Sequence, residues 1–540
     1  KETIAPYGTR FLHPLNYHAN AWQDLFNPRQ LLMLVKLTKL IREAGKQIEQ
    51  NKMREGLSQE ESKGYAESIV AILSVSLCKF ADYDSISTGW HAVLLIARDT
   101  LAMRGISMQW NWCDVNPIAE TAGSWVKSLS SVVVGIEYLV SALSLNNLKN
   151  QLERFGSVGS QSSAKALAQL NVLLADASVL NLDEKFGVII TDPPYYHDVP
   201  YSEISDFYYV WLKRALSDIQ EGRLTPRFLA EAFFKKVGGK WVEVGTQWKE
   251  YGDREVSVKL ASKSIMEQGR KHFLELLGLS FQNCKLHLID RGILATYYAH
   301  TDPDAWQALL EAGWIGSGFR VSNAFPIATE SPERRIARGK LSLDTSIVVV
   351  WRKGTSGIAN VSDLYNDAIQ LAKDRASQLI KRGCVGSDLL VGTLAAVLSS
   401  FTKYKQLYGP SGELGLDVLL SYHVYPLTAR AIAVAISREA GAAGEVRSPE
   451  ALFYLLAKVL FGKIAVTGRK SFDRSNLAIL TIATRTDSKN LVEKSIVARP
   501  KGLSKGEGFV LFDPLATRHR DLEEFLQERG LNPRDPEPRN

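Results

Sequence analysis

The chain has 540 residues, 45% hydrophobic and 23% charged, with 65 Lys and Arg against 58 Asp and Glu for a formal charge of +7. This is the balance of an ordinary globular protein, long enough for about three or four domains and compatible with a polyanionic partner. No apolar run approaches the roughly 20 residues of a membrane span, no secretory signal opens the sequence, and Cys78, Cys113, Cys284 and Cys384 lack the short spacings of a zinc site or disulfide framework. A cytoplasmic, reducing setting without a structural metal is the expectation.

Residues 1–150 read as a helical segment. Asn27 is a good N-cap, Pro28 takes the first helical position, and Leu31, Leu34, Val35 and Ile41 recur at helical spacing. A second helix is predicted over 64–80, with Ile69, Ile72 and Leu73 facing a core. Trp110, Trp112 and Trp125 flank the Asp114-Val115-Asn116-Pro117 turn. They are read as a packed aromatic cluster in preference to a base-stacking platform.

Residues 151–355 read as an α/β region. Strands are predicted over 171–175, 186–191, 293–298 and 345–352, with helices around 265–280 and 303–312. An insertion at 214–262 carries Arg214, Arg223, Arg227, Lys235, Lys236, Lys240 and Lys249, interleaved with Phe233, Phe234, Trp241 and Trp248. Two readings stay open for it: contact with phosphates and unpaired bases, or a solvated surface. The basic loop 331–340, with Arg334, Arg335 and Arg338, is a second candidate for nucleic-acid contact. Residues 356–530 read as a mainly helical domain, with helices over 363–382, 387–402, 427–439 and 449–461 and short strands around 477–500. Residues 531–540 read as a disordered tail.

The densest chemistry lies in Thr191-Asp192-Pro193-Pro194-Tyr195, directly after the apolar run Phe186-Gly187-Val188-Ile189-Ile190. A buried strand ending in a rigid loop suits a site that handles an exocyclic amine. Such an amine is a poor nucleophile because its lone pair is delocalised into the ring. Asp192 supplies one hydrogen-bond acceptor and the Pro193 carbonyl a second, since proline keeps its C=O. Tyr195 offers a face for stacking, and the prolines hold the loop open at low entropic cost. Upstream, Asn171-Val172-Leu173-Leu174-Ala175-Asp176-Ala177 reads as a second strand. Two adjacent strands ending in Asp176 and Asp192 put both carboxylates on the carboxyl rim of one sheet, where doubly wound folds bind ligands. His197 and His300 receive no proton-transfer role.

Leu174-Ala175-Asp176-Ala177 and Ile190-Thr191-Asp192-Pro193-Pro194-Tyr195-Tyr196 resemble two motifs of S-adenosylmethionine-dependent amino-methyltransferases. The continuation, from Asp198-Val199-Pro200-Tyr201-Ser202-Glu203 to Trp211-Leu212-Lys213-Arg214, resembles the large adenine-specific DNA methylases that carry a zinc ribbon at full length. The likeness spans roughly residues 10 to 355, including Leu25-Phe26-Asn27-Pro28-Arg29-Gln30 and Tyr298-Ala299-His300-Thr301-Asp302. It implies a Rossmann-like doubly wound methyltransferase sheet. Asp192, Pro193, Pro194 and Tyr195 would be catalytic, Asp176 and Ala177 would hold S-adenosylmethionine, and Tyr196 would meet the nucleic acid. The implied substrate is the adenine N6 amine of double-stranded DNA, in a restriction or defence setting.

Two family features are missing from the sequence. It contains no glycine-rich cofactor loop of the Asp-Pro-Phe-x-Gly-Gly-Gly type, and Phe155-Gly156-Ser157-Val158-Gly159-Ser160 reads instead as a flexible loop. The zinc ribbon is also absent. The expectation is a C-terminal part of a longer methylase, or one subunit of a split one, with the cofactor loop on the missing segment or partner. The alternatives are a guanine amino-methylase of structured RNA and a non-catalytic DNA-binding half.

Overall fold

A computed structural model describes residues 2–4, 12–92, 94–101, 105–143, 171–194, 199–258, 263–298, 303–327, 346–384, 386–441, 446–461, 474–494, 496–498 and 510–511. The chain is α/β with mixed sheets and divides into two compact units. One comprises Lys1–Leu174 with His197–Met266, the other Ala175–Tyr196 with Glu267–Asn540. This division differs from the sequence boundaries near 150 and 355. The 214–262 insertion belongs with the N-terminal helices, and the C-terminal helices belong with the sheet.

The first unit is built on helices α1 (Pro28–Arg54), α2 (Gln59–Tyr83), α3 (Trp125–Leu143) and α4 (Tyr201–Leu216). The Asn27 side chain accepts from the amides of Arg29 and Gln30 while Gln30 returns a bond to the Asn27 amide, closing a capping box with proline at N1. Ser58 and Glu61 do the same for α2. Leu34 and Ile41 on α1 and Val70 and Leu77 on α2 join Phe207, Val210 and Trp211 of α4 in one core. Ile69, Ile72 and Leu73 are only half-buried; Ala66, Val70 and Leu77 form the buried stripe. Gly45 permits the close approach of α1, because a Cβ there would sit 2.7 Å from Val70 Cγ2 and 2.9 Å from the Phe228 ring. Phe26 meets Trp211 edge-on at 5.4 Å and stacks on Phe207 at 6.0 Å.

The tryptophan cluster differs from expectation. Trp110 and Trp112 are exposed, with left-handed φ of 58° and 46°, and Trp110 touches Tyr17 edge-on at 5.0 Å. The neighbouring backbone is pinned instead: Gln30 Nε2 donates to the Cys113 carbonyl at 2.9 Å and the Val115 amide to Asp84 at 3.0 Å. Trp125 alone packs against the core.

The second unit contains a four-stranded sheet of β1 (Phe186–Thr191), β2 (Leu288–Tyr298), β3 (Phe319–Ile327) and β4 (Ser346–Lys353), in the order β1-β2-β4-β3. β1 and β2 are parallel, with Thr191 opposite Thr296, while β4 runs antiparallel to both its neighbours. Helix α5 (Lys263–His287) runs directly into β2. Its Phe281 packs edge-on against Trp351 of β4 at 5.5 Å. Beyond β4, helices α6 (Val361–Lys381), α7 (Ser387–Phe401), α8 (Tyr425–Glu439) and α9 (Pro449–Phe461) follow, close to the predicted ranges. Thr402, capping α7, accepts from the Val321 amide of β3 at 2.9 Å, which ties the helices to the sheet. The short strands expected near 477–500 reduce to Val497–Ala498 paired with Val510–Leu511. The predicted tail 531–540 lies outside the described residues.

The strand expected at 171–175 is absent, and this corrects the sequence reading. Residues 171–176 are irregular, and Val172, Leu173 and Leu174 are exposed. An apolar tetrad becomes a strand only when a neighbour accepts its ladder, and no such neighbour is found among the described residues. The stretches Gln59–Tyr83 and Leu416–Glu439 reach the length and mean hydropathy of a membrane span, beyond what run length alone indicated. Val70 and Leu77 in the first, and Leu427 and Ile432 in the second, are core residues.

Three acids buried in the first unit set its pH response. Burial and the nearby Asp99 charge push Asp82 up to about 7. Burial does the same to Asp84 against the lowering bond from the Val115 amide, and burial with Glu2 and Glu203 raises Asp206 to about 7. A carboxyl raised in the folded state contributes stability in full below its unfolded value of about 3.9. That contribution is lost as the pH rises to about 7. Urea midpoints should therefore fall between about pH 4 and about pH 7, and less so when Asp82, Asp84 and Asp206 are all replaced by Asn. Equal pH slopes in the two proteins would contradict these assignments.

Candidate functional site

The motif loop starts where the parallel pair ends. Thr191, the last residue of β1, donates from its hydroxyl to Thr296 on β2 at 3.1 Å, and Thr296 is fully buried. This bond fixes the carboxyl rim at the point where the chain leaves the sheet. Asp192 follows with an exposed side chain, and Pro193 and Pro194 are half-buried. Each proline disfavours helical geometry in the residue before it, so the chain must leave the strand extended. Asp192 is thus presented at the carboxyl end of a parallel strand, the place where α/β sheets bind ligands. Tyr195, Tyr196 and His197 lie outside the described residues, as do His300, Thr301 and residues 155–160 and 331–340, with Arg334, Arg335 and Arg338.

Helix α4 resumes the chain after Pro200. A proline cannot cap with its side chain, and the exposed helix start is served from a distance: the Glu255 carboxylate accepts from the amides of Tyr201 at 2.9 Å and Ser202 at 3.3 Å, and from the Ser202 hydroxyl at 2.7 Å. Nothing in the sequence spacing pointed to Glu255, 54 residues downstream of Tyr201.

Asp176 and Ala177 do not join Asp192. Asp176 accepts from the Ser178 amide at 2.9 Å and hydroxyl at 2.6 Å, the geometry of an Asx turn. The Ala177 carbonyl accepts from Asn283 at 3.0 Å, and the Leu182 amide donates to His287 Nε2 at 3.0 Å. Asn283 and His287 form the last turn of α5, just before β2 begins at Leu288, which lies opposite Phe186 at the start of β1. Asp176 therefore sits toward the amino-terminal end of the strands and Asp192 at the carboxyl-terminal end. The expectation that two adjacent strands bring Asp176 and Asp192 to one rim of the sheet is therefore not met.

β1 is the outer strand of its sheet, and its Val188 and Ile190 are exposed at 56% and 66%. Two residues apart, they lie on one face of β1, and that face is open among the described residues.

The 214–262 insertion resolves into two kinds of residue. Arg214 pairs with Glu2 at 2.8 Å, and Arg227 pairs with Glu49, while Phe233 and Phe234 are buried. Lys213 is fully buried between Glu2 and Glu243, with Glu243 at 2.8 Å, and also donates to the Val244 carbonyl at 3.0 Å. Burial raises the Glu2 carboxyl, but the bonds from Lys213 and Arg214 outweigh it and leave Glu2 below its ordinary range. These groups are structural. No group of three or more His, Cys, Asp or Glu side chains arranged to hold a metal occurs among the described residues.

No protein family, curated protein or solved structure matches the chain. Replacing Thr296 by Val, which removes the rim hydrogen bond at constant shape, should cost about 0.5–1.5 kcal/mol, read as a lower urea midpoint. An unchanged midpoint would show that the Thr191–Thr296 bond does not hold the rim.

Proposed function

We propose that the chain is an S-adenosylmethionine-dependent DNA methyltransferase that transfers a methyl group to the N6 amine of adenine, in the cytoplasm. The observation that carries this reading is the position of Asp192-Pro193-Pro194 at the carboxyl end of a strand paired in parallel with β2. The Rossmann-like sheet remains part of the proposal: a parallel pair with an uncovered outer strand fits one half of a doubly wound sheet.

In this account the target adenine leaves the duplex stack at a cost of about a few kcal/mol. Asp192 and the Pro193 carbonyl accept the two amine hydrogens and raise electron density on the nitrogen, and Tyr195 stacks on the base. S-adenosylmethionine supplies the methyl group when bound. Fixed acceptors of this kind act mainly by positioning and electrostatics. Double-stranded DNA is the partner, with Tyr196, Arg334, Arg335 and Arg338 as its proposed contacts.

A second reading has an observation of its own. The exposed edge of β1 and the lack of a glycine loop favour a half-enzyme that receives its cofactor pocket from another polypeptide segment. Saturable binding of S-adenosylmethionine by the purified chain would argue against that reading.

Replacing Asp192 by Ala should lower the rate of methyl transfer to DNA about 100-fold or more with an unchanged melting temperature, because the side chain is exposed. Retention of most of the rate would refute the role of Asp192.

A further inference from the structure

Within the first unit, Phe234–Val237 and Lys240–Glu243 form an antiparallel two-stranded ribbon joined by Gly238 and Gly239, both at positive φ. Seven of its eight strand residues are exposed; only Phe234, at the root, is buried. Such a ribbon is at best marginal alone in water, so something must hold it. The Val244 amide donates to the Phe233 carbonyl at 2.8 Å, Tyr209 and Lys213 of α4 both donate to the Val244 carbonyl at 3.0 Å, and Lys213 pairs with Glu243. The root is therefore clamped to α4 by a buried cation.

The distal part has the opposite character. Lys236 lies across from Trp241, and Lys240 across from Val237. By strand alternation, Lys236 and Trp241 share one face while Lys235 and Lys240 occupy the other. The Lys236 ammonium sits 4.9 Å from the centre of the Trp241 ring, which orients it. Among the described residues no carboxylate pairs with Lys235, Lys236 or Lys240, and Glu243 is held at the root by Lys213. The outer eight residues, Lys-Lys-Val-Gly-Gly-Lys-Trp-Val, thus carry three cations and no anion.

We propose that this ribbon is a DNA-docking element that enters the major groove of a B-form duplex, with Lys235, Lys236 and Lys240 on the flanking phosphates. The proposal rests on the DNA reading above, and supplies it with a contact surface distinct from the motif loop. Charge complementarity selects a polyanion. The B-form major groove, about 12 Å wide, admits a two-stranded ribbon. The deep, narrow major groove of A-form RNA does not.

The test is equilibrium binding of the full chain, without cofactor, to a fluorescein-labelled unmethylated DNA duplex across a series of salt concentrations. Lys235→Gln, Lys236→Gln and Lys240→Gln together should weaken binding at least about tenfold and reduce the slope of log K against log salt by about three, with an unchanged melting temperature. Unaltered affinity and slope would overturn the proposal. So would tighter binding of the wild-type chain to an RNA duplex of the same length than to DNA. Loss of duplex binding in the variant, alongside a wild-type chain that transfers no methyl group to DNA, would sink the methylation reading and leave the ribbon assignment standing.

Discussion

The candidate site depends on the parallel pairing of β1 with β2. It places Thr191 opposite Thr296, ties the two at their hydroxyls, and so fixes the point from which Asp192 and the prolines leave the sheet. An antiparallel partner would turn the rim over, and an irregular segment in place of β1 would leave Asp192 on a loop without a frame. The two prolines add the second constraint by keeping the chain from turning into a helix at once. Asp192 is consequently displayed rather than buried.

The same pairing leaves one side of β1 open among the described residues. β1 has one neighbour among the described residues, Val188 and Ile190 on one of its faces are exposed, and the apolar run Val172–Leu174 is exposed as well. The proposed doubly wound sheet would need further strands beside β1. In the first unit, two of the cations that read as nucleic-acid contacts in sequence, Arg214 and Arg227, are committed to ion pairs within the fold. Arg214 and Arg227 pair with Glu2 and Glu49, and Lys213 with Glu2 and Glu243, whereas no carboxylate pairs with Lys235, Lys236 or Lys240 of the outer ribbon among the described residues.

The parts of the fold most legible in sequence are those with strong local signals. The capped start of α1 at Asn27-Pro28, the β-branched run of β4 and the helices after residue 360 are located within a few residues. The Asp-Pro-Pro motif is found where a strand ends, because continuous apolar residues followed by prolines leave few alternatives. The failures are non-local. Residues 171–175 have strand composition but no partner, and composition alone does not supply one. Trp110 and Trp112 look like core residues, yet their position is set by how Gln30 and Asp84 grip the adjacent backbone. The cap that Glu255 gives to α4 joins positions 54 residues apart and has no signature at either end.

The proposed function has Asp192 present an adenine amine of DNA for methylation. It is tested most directly by incubating the purified chain with methyl-labelled S-adenosylmethionine, unmethylated DNA and transfer RNA, then digesting the nucleic acids and identifying the labelled nucleoside by mass. The account predicts label in N6-methyldeoxyadenosine. Label in a methylguanosine, or none in either nucleic acid, would contradict it.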